Sequence, residues 1–163
     1  MSSSNIRVCN IALDIANKSN IHIGHGAVIT KGKKPIAIGF NHNRSVINGK
    51  LCCCFHAEIH AIHRWRLTCF RDKRKNISRK GKKYNLYVVR KSNSDDKLFS
   101  LSKPCFDCIK IIKLCNFGKI IYTTGNSDII SNIKLSKLEN NNMSWASRSM
   151  LNTTHYSQRL NYI

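Results

Sequence analysis

The chain has 163 residues, which is enough for one ordinary domain with a buried core, and we expect residues 1–163 to form a single domain. It has no run of about 18 apolar residues and no basic segment followed by an apolar one at its start, which argues against a membrane span and a secretory signal. We therefore expect a cytoplasmic protein, whose eight cysteines serve as metal ligands and buried thiols in a reducing compartment.

The formal net charge of +20 comes from 28 Lys and Arg residues against eight Asp and Glu residues. Glutamate occurs only as Glu58 and Glu139, which is scarcer than an A-rich coding sequence would produce. Twelve of the basic residues lie between Arg64 and Lys91, and Asp72 is the one acidic residue among them. This segment is the predicted contact surface for nucleic acid, and a solvated loop is the alternative.

Apolar periodicity in the first part of the chain predicts a helix, a hairpin and a second helix. The first helix carries apolar residues at positions 6, 9, 13 and 16, and residues 27–30 and 36–39 form strands around a turn. The second helix starts at His56 and runs for about 15 residues with a stripe of apolar side chains. The stripe consists of Phe55, Ile59, Ile62, Trp65 and Cys69. We expect this stripe to pack into the core.

The rest of the chain continues this alternation. Residues 86–89 predict a buried strand, residues 98–101 another strand, and Pro104 the first turn of a helix that ends near Gly118. A strand at 119–124 follows, residues 127–138 fit either a strand or a helix, and the tail at 140–163 has no assigned structure. Since helices alternate with strands, the predicted fold class is α/β.

The strongest chemical signal is His-Ala-Glu at positions 56–58 combined with Pro-Cys-Phe-Asp-Cys at positions 104–108. Cys105 and Cys108 share one helix face, and a helix N-terminus favours their thiolate form. With His56 they give three ligands for Zn²⁺ and leave its fourth position open for water, as in a catalytic site. The combined pattern is the known signature of zinc deaminases.

The acidic residue of this motif is Glu58, which lies two residues after His56. At that distance it points away from the first coordination shell and can still reach water bound to the metal. We therefore predict that Glu58 is the catalytic proton shuttle. The alternative is an exposed glutamate in the first turn of a helix.

Two other metal sites compete with this interpretation. His56 and His60 lie four residues apart on one helix face, but a metalloprotease helix requires Glu directly after the first His. We therefore expect His60 and His63 to be partly exposed helix residues. The three cysteines at 52–54 can join a structural zinc site, but no fourth partner has a suitable spacing, and buried or idle thiols are the simpler interpretation.

From residue 22 to about residue 125 the chain resembles the cytidine and deoxycytidylate deaminase superfamily. Apart from the metal motif, the resemblance includes Gly-Ala-Val-Ile at 26–29 and Ile-Gly-Phe-Asn at 38–41. It implies a three-layer fold with a mixed five-stranded sheet between helices and zinc on the three motif ligands. It also implies that Asn41 and the backbone N–H of Ala57 hold the substrate. Members of the superfamily often form dimers or tetramers, so a homo-oligomer is compatible with the resemblance.

Two departures distinguish the chain from branches of this superfamily. A hairpin-like segment at 91–102 precedes Pro104, where the family strand usually runs directly into the Pro-Cys turn. Ser102 and Lys103 also stand where a Glu or a Trp-Ser pair marks the tRNA-editing and polynucleotide-editing branches. Arg44, in the loop after Asn41, is well placed to contact a substrate phosphate.

Together these features predict a zinc-dependent hydrolytic deaminase that acts on a cytosine-type base in a pyrimidine nucleotide or polynucleotide. Glu58 is expected to protonate the ring nitrogen before ammonia leaves. One alternative is deamination of tRNA adenosine or of single-stranded nucleic acid. The other is a non-catalytic, basic nucleic-acid-binding module with structural zinc, against which the presence of Glu58 argues.

Overall fold

A computed structural model of the chain describes residues 3–43, 46–47, 50–51, 55–69, 81–93, 98–125 and 130–137. Within these residues the α-helices are α1 (Ser3–Ala16), α2 (Ala57–Cys69) and α3 (Phe106–Cys115). The strands are β1 (His25–Lys31), β2 (Lys34–Phe40), β3 (Val46–Ile47), β4 (Lys50–Leu51), β5 (Tyr84–Lys91), β6 (Phe99–Ser100), β7 (Lys119–Thr123) and β8 (Ile130–Ile133). A short 3-10 helix follows at Leu135–Lys137.

Five strands form one mixed sheet in the order β2, β1, β5, β7, β8. β5 and β7 run parallel, whereas the other neighbours in this order run antiparallel. The two-residue strand β6 pairs with the end of β5, and β3 and β4 form a separate short hairpin. The predicted α/β class and mixed five-stranded sheet are confirmed.

Helices cover both faces of this sheet. α1 packs on one face, where Cys9 and Ala12 lie against Val28 of β1. α2 and α3 cover the opposite face, where Trp65 and Ile112 belong to one core with alternate residues of β1, β5 and β7. Successive side chains of a strand point to opposite faces, which explains why the same strands contribute to both cores. The result is the predicted arrangement of three layers.

The first turns of α2 lie directly on β2 because Gly39 has no side chain. A Cβ atom at this position would lie 2.3 Å from the backbone nitrogen of Ala61 and 2.5 Å from the carbonyl oxygen of Ala57. Both alanines are fully buried. Small residues on β2 and α2 therefore allow close packing of the helix on the strand. This packing fixes the position of His56, which directly precedes α2.

The predicted starts of both site helices were wrong by one or two residues. α2 begins at Ala57, so His56 precedes it, and the backbone of Phe55 pairs with His42 instead of joining the helical stripe. α3 begins at Phe106, and Cys105 is its N-cap residue with extended backbone angles (φ −72°, ψ 168°). Pro104 therefore lies outside the helix, because the chain is still extended at the residue that follows it.

The end of α3 also differs from the prediction. The helix ends at Cys115, and Asn116, not Gly118, adopts the left-handed conformation after it (φ 52°, ψ 50°). Gly118 is needed for a close approach, since a Cβ atom there would lie 2.6 Å from the carbonyl oxygen of Lys82. Asparagine tolerates the left-handed region better than most residues, which allows this ending.

The structure also defines the segment before Pro104 and the region at 127–138, for which sequence patterns indicated no definite secondary structure. β5 extends to Lys91 and β6 returns beside it, so the hairpin-like segment before Pro104 is a real strand pair. The ambiguous region at 127–138 contains both β8 and the 3-10 helix, while the tail at 140–163 lies outside the described residues. Among the described helices, none is long and apolar enough to cross a membrane.

Candidate metal centre

Two helix starts bring the three predicted metal ligands together. His56 lies directly before α2, Cys105 caps the N-terminus of α3, and Cys108 lies in the first turn of α3. Both helices cover the same face of the sheet, and their first turns meet at one end of it. The positive end of the α3 dipole therefore points at the two sulfur atoms, which favours thiolate.

The spacing of the donor atoms fits zinc. His56, Cys105 and Cys108 offer one nitrogen and two sulfur atoms, all within 4.8 Å of one another. His56 Nδ1 lies 3.2 Å from Cys108 Sγ and 3.5 Å from Cys105 Sγ. Tetrahedral Zn²⁺, with bonds of about 2.0 Å to nitrogen and about 2.3 Å to sulfur, would separate such atoms by about 3.6 Å. The donor set and its spacing support zinc as the cofactor.

The two thiols differ in their proton affinity. A hydrogen bond with Cys108 lowers the pKa of Cys105 to about 4 against the opposing effect of burial, and His56 lowers it further. The same hydrogen bond, together with burial, raises the pKa of Cys108 well above its usual value. The pair thus holds one thiolate beside one thiol, and a bound dication would favour the second thiolate as well.

Glu58 lies in the first turn of α2 and is only 5% exposed. Burial raises the pKa of its carboxyl group, while His56 lowers this pKa and Cys105 raises it. The carboxyl group therefore lies within electrostatic reach of the ligand residues, and it is not the exposed helix glutamate that was the alternative. A buried acid beside the cluster has the environment expected of a proton-transfer group.

The predicted substrate contacts have different positions. The Asn41 side chain accepts the backbone N–H of His25 through Oδ1 and donates from Nδ2 to the carbonyl oxygen of Ile23, both at 2.7 Å. Asn41 therefore fixes the start of β1 and is only 9% exposed. Ala57 is the first residue of α2, and Arg44 lies outside the described residues.

The alternative metal ligands are not part of this cluster. His60 and His63 are partly exposed, as expected. The His60 ring lies against β2, with Nδ1 3.1 Å from the carbonyl oxygen of Phe40, and stacks on Phe55. Among the described residues, the metal-binding group found contains His56 and the two cysteines of α3. The cysteines at 52–54 lie outside the described residues.

Sequence reasoning missed His25, the first residue of β1. Burial lowers the pKa of this histidine to about 4, a hydrogen bond to the Ile23 carbonyl opposes the shift, and the nearby charges of Arg90 and His56 add to it. His25 Nδ1 donates that hydrogen bond at 3.3 Å. The sequence feature that could have identified His25 is a polar side chain at the first position of an otherwise apolar strand.

The chain matches a known protein family over most of its length. A profile of the family described as the cytidine and deoxycytidylate deaminase zinc-binding region matches residues 2–124. A search of curated proteins found no match. The family profile and the His-Cys-Cys cluster point to the same site.

Two solved structures have similar folds. The cytidine deaminase from Burkholderia pseudomallei has a TM-score of 0.59 and 14% identity, over 85% of this chain and 96% of that one. The apo dCMP deaminase from the cyanophage S-TIM5 has a TM-score of 0.51 and 21% identity, over 77% of this chain and 87% of that one. At these identities the similarities show the fold alone.

Proposed function

Because the chain belongs to the family of the cytidine and deoxycytidylate deaminase zinc-binding region, we propose that it is a zinc-dependent hydrolytic deaminase. The proposed substrate is a cytosine-type base in a nucleotide. The observation that carries the proposal is the buried carboxyl group of Glu58 beside the His-Cys-Cys cluster. Structural zinc is closed by four protein ligands, whereas the described residues supply three ligands and an acid, as a catalytic site requires.

In this proposal His56, Cys105 and Cys108 hold the zinc ion. Bound zinc supplies an acidified water, whose pKa falls from the bulk value toward about 7. Glu58 would accept a proton from the attacking water on a carboxylate oxygen and deliver it to ring nitrogen N3 of cytosine, as the water oxygen bonds to C4. It would then carry the remaining proton of that oxygen to the amino group, so that the C4–N bond breaks, ammonia leaves and C4 becomes a carbonyl carbon. Burial raises the pKa of Glu58, which makes its carboxylate a stronger proton acceptor.

Asn41 and Ala57 are proposed to hold the substrate. An amide side chain has two donor hydrogens and two acceptor lone pairs, and the bonds to Ile23 and His25 use one of each. As far as the described residues are concerned, Asn41 thus retains one donor and one acceptor for a ligand. The backbone N–H of Ala57 is among the first N–H groups of α2, which lack partners within the helix. Arg44 is kept as a proposed contact to a substrate phosphate.

Ammonia release by the zinc-loaded protein tests this function. The substrates are dCMP, cytidine, tRNA and single-stranded DNA, and we expect ammonia and the matching uracil product from at least one cytosine substrate. Glu58→Gln serves as the control for a contaminating deaminase. Ammonia release from tRNA adenosine alone would mean that the protein deaminates adenine and not cytosine. Absence of release from every substrate would contradict the deaminase and favour a nucleic-acid-binding module with structural zinc.

A second candidate is a polynucleotide substrate, which a lysine-rich edge of the sheet favours. The exposed lysines of the β1–β2 turn lie beside the starts of β5 and β7, because Lys31 pairs with Tyr84 and Lys119 pairs with Asn85. We define the lysine edge as Lys31, Lys33, Lys34, Lys82, Lys83 and Lys119, all of them exposed. It includes part of the predicted basic segment between Arg64 and Lys91, of which residues 70–80 lie outside the described residues.

The lysine edge lies at the opposite end of β1 from the metal centre. Seven residues of a strand span about 20 Å, so the edge can anchor a long polynucleotide but not a free nucleotide in the site. Binding of single-stranded DNA should weaken steeply with salt. Replacing Lys31, Lys34 and Lys83 by Gln should make this dependence less steep. The slope of the logarithm of the binding constant against the logarithm of the salt concentration should decrease in size by about 0.7 for each phosphate that the protein no longer neutralises. An unchanged salt dependence would exclude this surface.

A further inference from the structure

His25 and Arg90 are direct neighbours across the β1–β5 pair. Ala27 and Val88, the next residues on the same faces of these strands, belong to the core beneath α2 and α3. Because side chains alternate between the faces of a sheet, His25 and Arg90 face the side that carries the metal centre. β6, which leads into α3, also pairs with Arg90. The pair therefore lies at the end of the sheet where the ligand-bearing helices begin.

The His25 ring is influenced by the charges of both Arg90 and the metal ligands. After burial and the hydrogen bond to Ile23, the charges that influence the pKa of its ring are those of Arg90, His56 and Cys105. The ring is therefore within electrostatic reach of the guanidinium group on one strand and of two ligand residues on the helices.

Arg90 has an unsatisfied hydrogen-bond donor at this position. Its Nε atom is buried and has no hydrogen-bond partner among the described residues. Burying the N–H donor of a guanidinium group without an acceptor is unfavourable. A buried donor of this kind in a native fold calls for an acceptor, which a water molecule, an ion or a bound ligand can supply.

We propose that Arg90 forms a phosphate subsite of the metal centre and binds the phosphate group of the nucleotide whose base is deaminated. This inference rests on the proposed function and names its substrate class, a phosphorylated nucleotide in preference to a free nucleoside. A guanidinium group presents a planar fork of N–H donors that matches two phosphate oxygens, and Nε is one of those donors. The phosphate supplies the acceptor that Arg90 Nε lacks.

The test is the binding of dCMP and of deoxycytidine to the zinc-loaded Glu58→Gln protein, measured by titration calorimetry so that no turnover is needed. With Arg90 intact, dCMP should bind about 10- to 100-fold more tightly than deoxycytidine, the gain expected of charge-assisted hydrogen bonds. Adding Arg90→Gln should remove most of this ratio, of which Arg44 can supply a remainder, and leave the affinity for deoxycytidine largely unchanged. A ratio of wild-type size in Arg90→Gln would overturn the proposal.

Arg7→Gln is the matched control, since it makes the same substitution at an exposed residue of α1, on the other side of the sheet. Arg7→Gln should keep the wild-type ratio of dCMP affinity to deoxycytidine affinity. An equal decrease of this ratio in Arg7→Gln would assign the effect to overall charge and overturn the proposed subsite. Arg90→Lys guards against misfolding, because it keeps the charge but removes the fork. It should show an intermediate ratio with normal zinc content, and a full wild-type ratio would overturn the proposal.

Failure of the proposed function gives a different result. If neither dCMP nor deoxycytidine binds, the protein is not a cytosine nucleotide deaminase, and inorganic phosphate then serves as the probe. Phosphate binding that disappears in Arg90→Gln but not in Arg7→Gln supports the subsite. Absence of phosphate binding with Arg90 intact overturns it.

Discussion

The hydroxyl oxygens of Ser102 and Thr123 lie 2.8 Å apart in the interior of the protein, where both residues are buried. Ser102 donates its hydroxyl hydrogen to the carbonyl oxygen of Val88 at 2.7 Å and accepts the backbone N–H of Thr123 at 2.8 Å. Thr123 donates its own hydroxyl to the carbonyl oxygen of Ser100 at 2.6 Å. These bonds connect the segment before Cys105 to β5 and β7, and so position a metal ligand.

Ser102→Ala should therefore weaken both the fold and the metal site. It removes the hydroxyl that bonds the buried N–H of Thr123 and the carbonyl oxygen of Val88, which should lower the free energy of unfolding by about 1–3 kcal/mol. Zinc affinity should fall as well, as measured by competition with a chelator. Ser100→Ala is the control, because Ser100 takes part through its carbonyl group and its side chain is partly exposed. Equal effects of both substitutions would contradict this role of Ser102.

Removal of either sulfur ligand should remove the metal. We expect about one zinc ion per chain in the wild-type protein and little in Cys105→Ala or Cys108→Ala, because two remaining donors hold the ion poorly. Elemental analysis after dialysis measures this. Cys69→Ala, which replaces a free and partly buried cysteine outside the cluster, should retain its zinc. Zinc that persisted in the Cys105→Ala/Cys108→Ala double variant would have to bind elsewhere.

Glu58→Gln should separate catalysis from folding. The amide has nearly the same shape as the carboxyl group, so zinc content and melting temperature should stay close to those of the wild type. The initial rate of ammonia release should fall by about 10²- to 10⁴-fold, since the amide cannot accept the proton. Equal rates for the two proteins would exclude Glu58 as the proton shuttle.

Cys9 predicts a decrease in stability at alkaline pH. Burial between α1 and the sheet raises the pKa of this thiol from 9.0 to about 12. Below pH 9 the folded and unfolded states both keep the proton, whereas above it only the unfolded state releases it. The contribution of Cys9 to the free energy of unfolding is therefore present below pH 9 and decreases between pH 9 and pH 12, by at most about 1.4 kcal/mol per pH unit.

Denaturant unfolding between about pH 8 and pH 10 measures this dependence. In Cys9→Ala, the free energy of unfolding should decrease less steeply above pH 9, because the contribution of one buried thiol is missing. Cys115, whose pKa burial also raises to about 12, should give a second contribution. A slope unaffected by Cys9→Ala would mean that the folded state does not retain this proton.

The sequence was sufficient to predict the α/β class, the zinc cofactor and the candidate ligand set. Apolar periodicity is a local property, and it reported the helices and central strands because their buried faces repeat every few residues. The metal motif was equally local, since two of its ligands are three residues apart on one helix and the third precedes another helix. Element boundaries were less accurate, because the ends of α2 and α3 depend on contacts such as the one between Gly39 and Ala57.

Relationships between distant residues required the folded structure. His25 and Arg90 are 65 positions apart in the sequence and become neighbours only through the register of β1 and β5. Asn41 uses its side chain on the start of β1, although the family motif suggests only a substrate contact. Ser102 and Thr123 likewise meet because β7 pairs in parallel with β5. A linear pattern records which side chains alternate along one strand, but strand pairing and helix packing determine which of them lie together around the metal centre.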